Sequence, residues 1–92
     1  MIKSFKHKGL EAFFATGSTK GIQPHHAGKL QIQLATLEQA TGPEDMNAPK
    51  WRLHALGGDL AGQCSISGNG NWRLTFIFEG TDVVLLDYED YH

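Results

Sequence analysis

The chain has 92 residues with eight basic and ten acidic side chains, a net charge of −2, and 40% hydrophobic, 10% aromatic and 20% charged residues. This length suits one compact domain over 1–92, since independent domains need at least about 50 residues and more often 100 to 150, and the composition excludes a disordered chain. It contains no run of about 18 apolar residues to span a membrane; the charged start MIKSFKHKGL argues against a secretory leader and for the cytoplasm; the single Cys64 excludes an intramolecular disulfide and a multi-cysteine zinc site.

Residues 1–5 alternate loosely, with Ile2 and Phe5 inward, and predict a short strand or extended arm. From 8 to 16, Leu10, Phe13 and Phe14 follow the i, i+3, i+4 spacing of one helix face, and Gly17 stops the helix. A second helix is predicted over 24–41, with Pro24 suited to its first turn, Ala27, Leu30, Leu34 and Leu37 as its buried stripe, and Gly42-Pro43 as its end. Residues 43–49 carry turn formers and no apolar period, and read as a connecting loop.

Beyond Pro49 the period becomes two. Trp51, Leu53 and Ala55 alternate with Arg52 and His54, predicting a half-buried strand that ends in the turn formers Gly57, Gly58 and Gly62. Cys64 and Ile66 alternate with Ser65 and Ser67, and residues 67–71 supply the glycines and asparagines a hairpin needs. Trp72, Leu74, Phe76 and Phe78 then point one way and Arg73, Thr75, Ile77 and Glu79 the other. The run Val83, Val84, Leu85, Leu86 is apolar on both faces and predicts a central strand. Two helices followed by a meander of three or four strands predict an α+β fold, with two N-terminal helices packed on a small, mostly antiparallel sheet.

Charge is polarised along this order. Lys3, Lys6, Lys8, Lys20 and Lys29 lie in the first third with Glu11 as their one opponent, whereas Glu79, Asp82, Asp87, Glu89 and Asp90 crowd the end. The negative total argues against a general polyanion binder, so any affinity for nucleic acid must come from a local patch.

The chemistry-bearing residues lie in the second half. Parity puts Arg73 on the sheet face away from the aromatic core, which suits a surface arginine equally well, and gives His54 the parity of Arg52, which taken alone is more often that of a surface or satisfied histidine. With Asp90, Tyr91 and His92 they supply a general acid, a general base and a cation, the set that splits a phosphodiester. RNA brings its own nucleophile, the 2′-hydroxyl, so no metal or cofactor is required, and histidine suits either proton transfer because it titrates near neutrality. Asp87, Glu89, Asp90 and His92 divide between the two faces of a strand and do not form one metal site. His25 and His26 are adjacent, diverge by about 100° on a helix, and read as exposed. Cys64 has the parity of Ile66 and reads as a small core residue. None of Gly57, Gly58, Gly68 and Gly70 opens a helix, so no phosphate-cradling loop is expected.

The opening MIKSFKHKGLEAFF, the LHAL of 53–56 followed by Gly58-Asp59, the strand NWRLTFIFEG of 71–80 and the terminal DYEDYH of 87–92 together resemble the HigB branch of the RelE/ParE superfamily of bacterial toxin–antitoxin proteins, over essentially all 92 residues. The resemblance implies the RelE-like fold and a ribosome-dependent mRNA endonuclease acting in the A site. It implies neutralisation by a HigA-type helix-turn-helix antitoxin, with operator DNA met only through that antitoxin. Carried over by motif, it implies acid or base roles for His54 and His92, phosphate stabilisation for Arg73, and orientation, proton transfer or base stacking for Asp90 and Tyr91. Lys3, Lys6, Lys8, Lys20, Lys50 and Arg52 are the expected RNA-binding cations, provided they share a face.

Three positions depart from the family pattern. Gly57 stands where relatives typically carry lysine, Cys64 where tryptophan is common, and Gly68 where a β-branched or charged residue is usual. Loss of the lysine removes a phosphate-attracting charge, which predicts an attenuated toxin. Its alternative is a catalytically weak module that binds the antitoxin and co-represses the operon. A third reading, the gyrase poisoning of ParE-type relatives, is disfavoured because the terminal Tyr-His resembles the ribonuclease branch.

Overall fold

A computed structural model of the chain describes residues 1–55 and 62–90. An extended arm leads into α1, Lys8–Thr16, followed by a 3-10 turn, Pro24–His26, and α2, Ala27–Gln39. A second 3-10 turn, Pro43–Met46, precedes strands β1, His54–Ala55, β2, Gln63–Ser67, β3, Trp72–Glu79, and β4, Asp82–Asp90. The four strands form one antiparallel sheet in the order β1-β2-β3-β4, which is the expected α+β architecture.

Both helices begin and end for local reasons. The His7 ring caps α1 by accepting from the Leu10 amide at 3.0 Å, and Gly17, at φ 80°, closes it with its own amide on the Phe13 carbonyl. That left-handed turn is one glycine adopts without steric cost. Pro24 opens a 3-10 turn rather than an α-turn, and α2 ends at Gln39, two residues short of the predicted 41. Leu30, Leu34 and Leu37 are buried as expected. Gln33 joins them at 0% exposure, its Nε2 donating to the Ser67 carbonyl at 2.8 Å while its buried Oε1 has no partner among the described residues.

The core lies between this helical layer and one sheet face. Leu10, Leu30, Leu34 and Leu37 meet Ile66, Leu74, Phe76, Val83, Leu86 and Tyr88, and Cys64 belongs to the same cluster. Met46, in the segment expected to be a loop without a core contribution, is also fully buried: its 3-10 turn swings the one large apolar side chain of that stretch inward.

The arm runs beside β4 in parallel sense, with bridges at Ile2–Val83 and Phe5–Leu86, so β4 lies between β3 and the arm. In the run 83–86, expected to form a central strand apolar on both faces, Val83 and Leu86 are buried but Leu85 is 44% exposed. Thr75 pairs with Asp87 and Ile77 with Val84, leaving Phe76 to face both Leu85 and Leu86, and Leu85 sits at φ 54°. This is a β-bulge, and it resets the alternation so that Val83, Leu86 and Tyr88 all reach the core. Ser4 satisfies the bulge, its Oγ accepting from the Leu85 amide at 2.9 Å and its carbonyl from the Leu86 amide at 3.1 Å.

The predicted strand over 51–55 shrinks to its last two residues. Lys50 and Arg52 adopt φ 75° and 51°, values incompatible with extended chain, yet Trp51 and Leu53 still pack on the core. The Trp51 carbonyl accepts from the Ser67 amide at 2.6 Å, which docks this irregular segment on β2.

Candidate active site

His54 opens β1 and is exposed, with Ser65 as its register partner. Ser65 pairs in turn with Thr75, two residues from Arg73 on β3. Directly opposed residues of antiparallel strands share a face, so His54, Ser65, Thr75 and Arg73 all lie on the side away from the helices. Strand spacing puts the Cα atoms of His54 and Arg73 about 12 Å apart, a gap that an arginine and an imidazole reaching toward each other can narrow around a phosphate group. Parity expected an open face. Its centre is closed, with Ser65 and Thr75 at 2% and 1% exposure.

Arg73 is half-buried and stands between Ser67 of β2 and Glu89 of β4 in register. Asp90, at the end of β4, pairs with Trp72 and so belongs to the opposite, helix-bearing face. There it lines a cleft with His25, His26, Asn69, Gly70, Asn71 and Trp72. The structure therefore brings His54 and Arg73 to one face and leaves Asp90 at the strand end, on the other side of the sheet. Tyr91 and His92 lie outside the described residues, as does Gly57.

The expected cations form two groups. Lys50 and Arg52 line a cleft with Ser67, Gly68 and Gly70, next to the residue that faces Arg73. Lys29, which carried no role in the sequence reading, extends this group by donating its Nζ to the Gly68 carbonyl at 3.1 Å. Lys3 and Lys6 lie on the arm beyond β4, three strand spacings or roughly 15 Å from β2, with their amides on the Val83 and Leu86 carbonyls. Lys8 opens α1 and Lys20 follows it, both exposed. One shared patch is not formed: the sheet separates the arm from the β2–β3 hairpin.

Two further residues depart from the sequence reading or refine it. Cys64 is 7% exposed and burial pushes its thiol above the ordinary range, so the reactive thiolate is disfavoured and the residue serves the core. His26, expected at the surface, is 3% exposed and its Nδ1 lies 2.5 Å from the Tyr88 hydroxyl. A signal for this was present: His26 precedes Leu30 and Leu34 at four-residue steps, which extends the apolar stripe of α2 back by one turn. Burial, followed by the neighbouring His25, holds its pKa below the usual histidine value, while Asp90 acts in the opposite direction.

Among the described residues no three His, Cys, Asp or Glu side chains converge as a metal-binding group, and no helix is long and apolar enough to cross a membrane. The HigB-like toxin family, described as RelE-like toxins of the type II toxin–antitoxin system HigB, matches residues 3–92. The chain is also 42% identical over 92 residues to Endoribonuclease HigB of Proteus vulgaris, covering 100% of both chains. With the fold, the Asn-Trp-Arg strand and this end-to-end similarity in agreement, the chain belongs to the HigB-like family of RelE-like toxins of type II toxin–antitoxin systems.

Proposed function

We propose that this protein is an endoribonuclease toxin that cuts mRNA on the ribosome, in the A site, and is neutralised by a HigA-type helix-turn-helix antitoxin. The observation that carries this reading is the shared sheet face of His54 and Arg73, an exposed imidazole and a guanidinium separated by one phosphodiester's reach. The similarity to an endoribonuclease over the whole chain supports the same chemistry.

In the proposed reaction a base removes the proton of the RNA 2′-hydroxyl, and the oxygen attacks the adjacent phosphorus. Arg73 offsets the charge that builds on the equatorial oxygens, and an acid protonates the departing 5′-oxygen. His54 and His92 are the groups proposed for the two proton transfers, with Asp90 and Tyr91 proposed to orient His92 or the base. The bond formed is O2′–P and the bond broken is P–O5′, so the products are a 2′,3′-cyclic phosphate and a 5′-hydroxyl. No metal takes part in these steps. Lys50 and Arg52, beside the hairpin that flanks Arg73, are proposed to hold the RNA backbone, with Lys3, Lys6, Lys8 and Lys20 as a separate surface for ribosomal RNA.

The test is to incubate the protein with ribosomes carrying a defined message, with and without chelator, and to map the ends. Chelator-resistant cleavage that disappears when the nucleotide 5′ of the cut is made 2′-deoxy is the expected result. Cleavage that survives the 2′-deoxy substitution contradicts the mechanism. Intact message with tight antitoxin binding would instead favour the weak-toxin alternative, and the Gly57→Lys variant measures attenuation directly: it should cut faster than the parent.

A further inference from the structure

His26 lies outside the proposed proton-transfer set, yet its burial and contacts place it under the end of β3 and β4 that carries Arg73 and Asp90. Its ring stands edge-on to Trp72, with centroids 5.7 Å apart, and edge-on to Tyr88 at 6.1 Å. Trp72 and Tyr88 themselves stack at 4.4 Å with an interplanar angle of 26°. Because Trp72 pairs with Asp90 and Leu74 with Tyr88, this stack runs diagonally across the β3–β4 ladder and clamps its end. Arg73 is the residue between Trp72 and Leu74, and its two register partners are Ser67 and Glu89.

The helical layer grips both of those partners' strands. Lys29 donates to the Gly68 carbonyl and Gln33 to the Ser67 carbonyl, fixing the β2 side, while His26 reaches Tyr88 and fixes the β4 side. The Gln23 backbone amide donates to the same Tyr88 hydroxyl oxygen, so this turn holds the hydroxyl through two of its residues. Burial at this position favours the neutral imidazole, which meets the hydroxyl through Nδ1.

We propose that His26 is a positioning residue for the nuclease reaction: hydrogen-bonded to the Tyr88 hydroxyl and packed against Trp72, it holds the β3–β4 end that presents Arg73 and Asp90. The proposal rests on the ribonuclease reading of the site above. The groups facing His26 are His25 from its own turn and Tyr88 and Asp90 from β4, with His7, at the start of α1, edge-on to the far side of Tyr88 at 5.4 Å. Asp90 favours a charged His26 and His25 opposes one, and protonation at acid pH puts a charge into this buried clamp and loosens it. His26→Asn keeps a hydrogen-bonding group where Nδ1 stands and cannot titrate, whereas His26→Phe keeps a ring and loses the bond.

The experiment measures single-message cleavage on programmed ribosomes for the parent, His26→Asn, His26→Phe, Tyr88→Phe and the Phe/Phe double variant, and amide hydrogen exchange at Glu89 and Asp90 in each. In His26→Phe we expect kcat to fall roughly tenfold with KM for the ribosome unchanged, the same loss in Tyr88→Phe, and no further loss in the double variant, since both remove one bond. His26→Asn should recover most of the rate at neutral pH. Exchange at Glu89 and Asp90 should quicken in both Phe variants and stay near the parent in His26→Asn. A folded His26→Phe with parental kcat and parental exchange overturns the proposal, as does a loss confined to KM or losses that multiply in the double variant. Should the parent itself leave message uncut, the nuclease reading fails, and the exchange data alone then decide whether His26 holds the strand end.

Discussion

At the scale of single residues, two histidines meet opposite environments. His54 is exposed on a two-residue strand with its ring free to meet a substrate, while His26, a residue of the same type, is sealed between a turn and the sheet. Their environments set different tasks. Burial favours neutral His26 and depresses its pKa relative to the unfolded chain, where histidine titrates near about 6.5. The unfolded chain therefore takes up the proton first as pH falls, so the stability contributed by neutral His26 is full above about pH 6.5 and is lost below it, toward the lower folded value. Melting curves at pH 7.5 and 5.5 check the sign. The parent should lose more stability between them than His26→Asn does, and an equal loss in both would contradict it.

At the scale of elements, much of this fold was legible. The spacing of Leu10, Phe13 and Phe14 with Gly17 gave α1 to the residue, and the glycine–asparagine turn with its alternating flanks gave the β2–β3 hairpin. What was hidden depends on contacts between distant segments. The bulge at Leu85 exists because the Ser4 hydroxyl and carbonyl satisfy two successive amides from a strand 81 residues away in sequence. The left-handed backbone at Lys50 and Arg52 follows from docking Trp51 and Leu53 on the core, and local alternation cannot reveal it. For the candidate site, parity put Arg73 on the face away from the core, which the register shows it shares with His54, but the pairing of Asp90 with Trp72, which puts it on the helix-bearing face, needed the register. A close approach of α1 to the following loop is equally invisible in sequence: a Cβ on Gly9 would lie 2.7 Å from both the Cα and the carbonyl oxygen of Gly21. In an isolated helix glycine to alanine gains about 1 kcal/mol. Here backbone must move, at a cost of about 1–3 kcal/mol, so Gly9→Ala should lower the melting temperature by several degrees, and a rise would show that the contact is looser than described.

At the scale of the whole molecule, a chain with a net charge of −2 presents its cations locally. Lys50 and Arg52 adjoin the hairpin beside Arg73, whereas Lys3 and Lys6 sit on the arm across the sheet. Each lost phosphate contact lowers affinity and flattens its dependence on salt by about one unit of slope. The pair Lys50→Gln and Arg52→Gln should therefore slow cleavage more than the pair Lys3→Gln and Lys6→Gln, with binding to ribosomes followed at two salt concentrations; equal effects would remove the distinction between the two groups. The central claim is that an imidazole on the face opposite the helices works with Arg73 on RNA. The rate of message cleavage on programmed ribosomes by His54→Ala tests it most directly, because an exposed residue is replaced and the melting temperature should not move. A loss of about 10²-fold or more is predicted, and a folded His54→Ala protein that cuts at the parental rate would contradict the account.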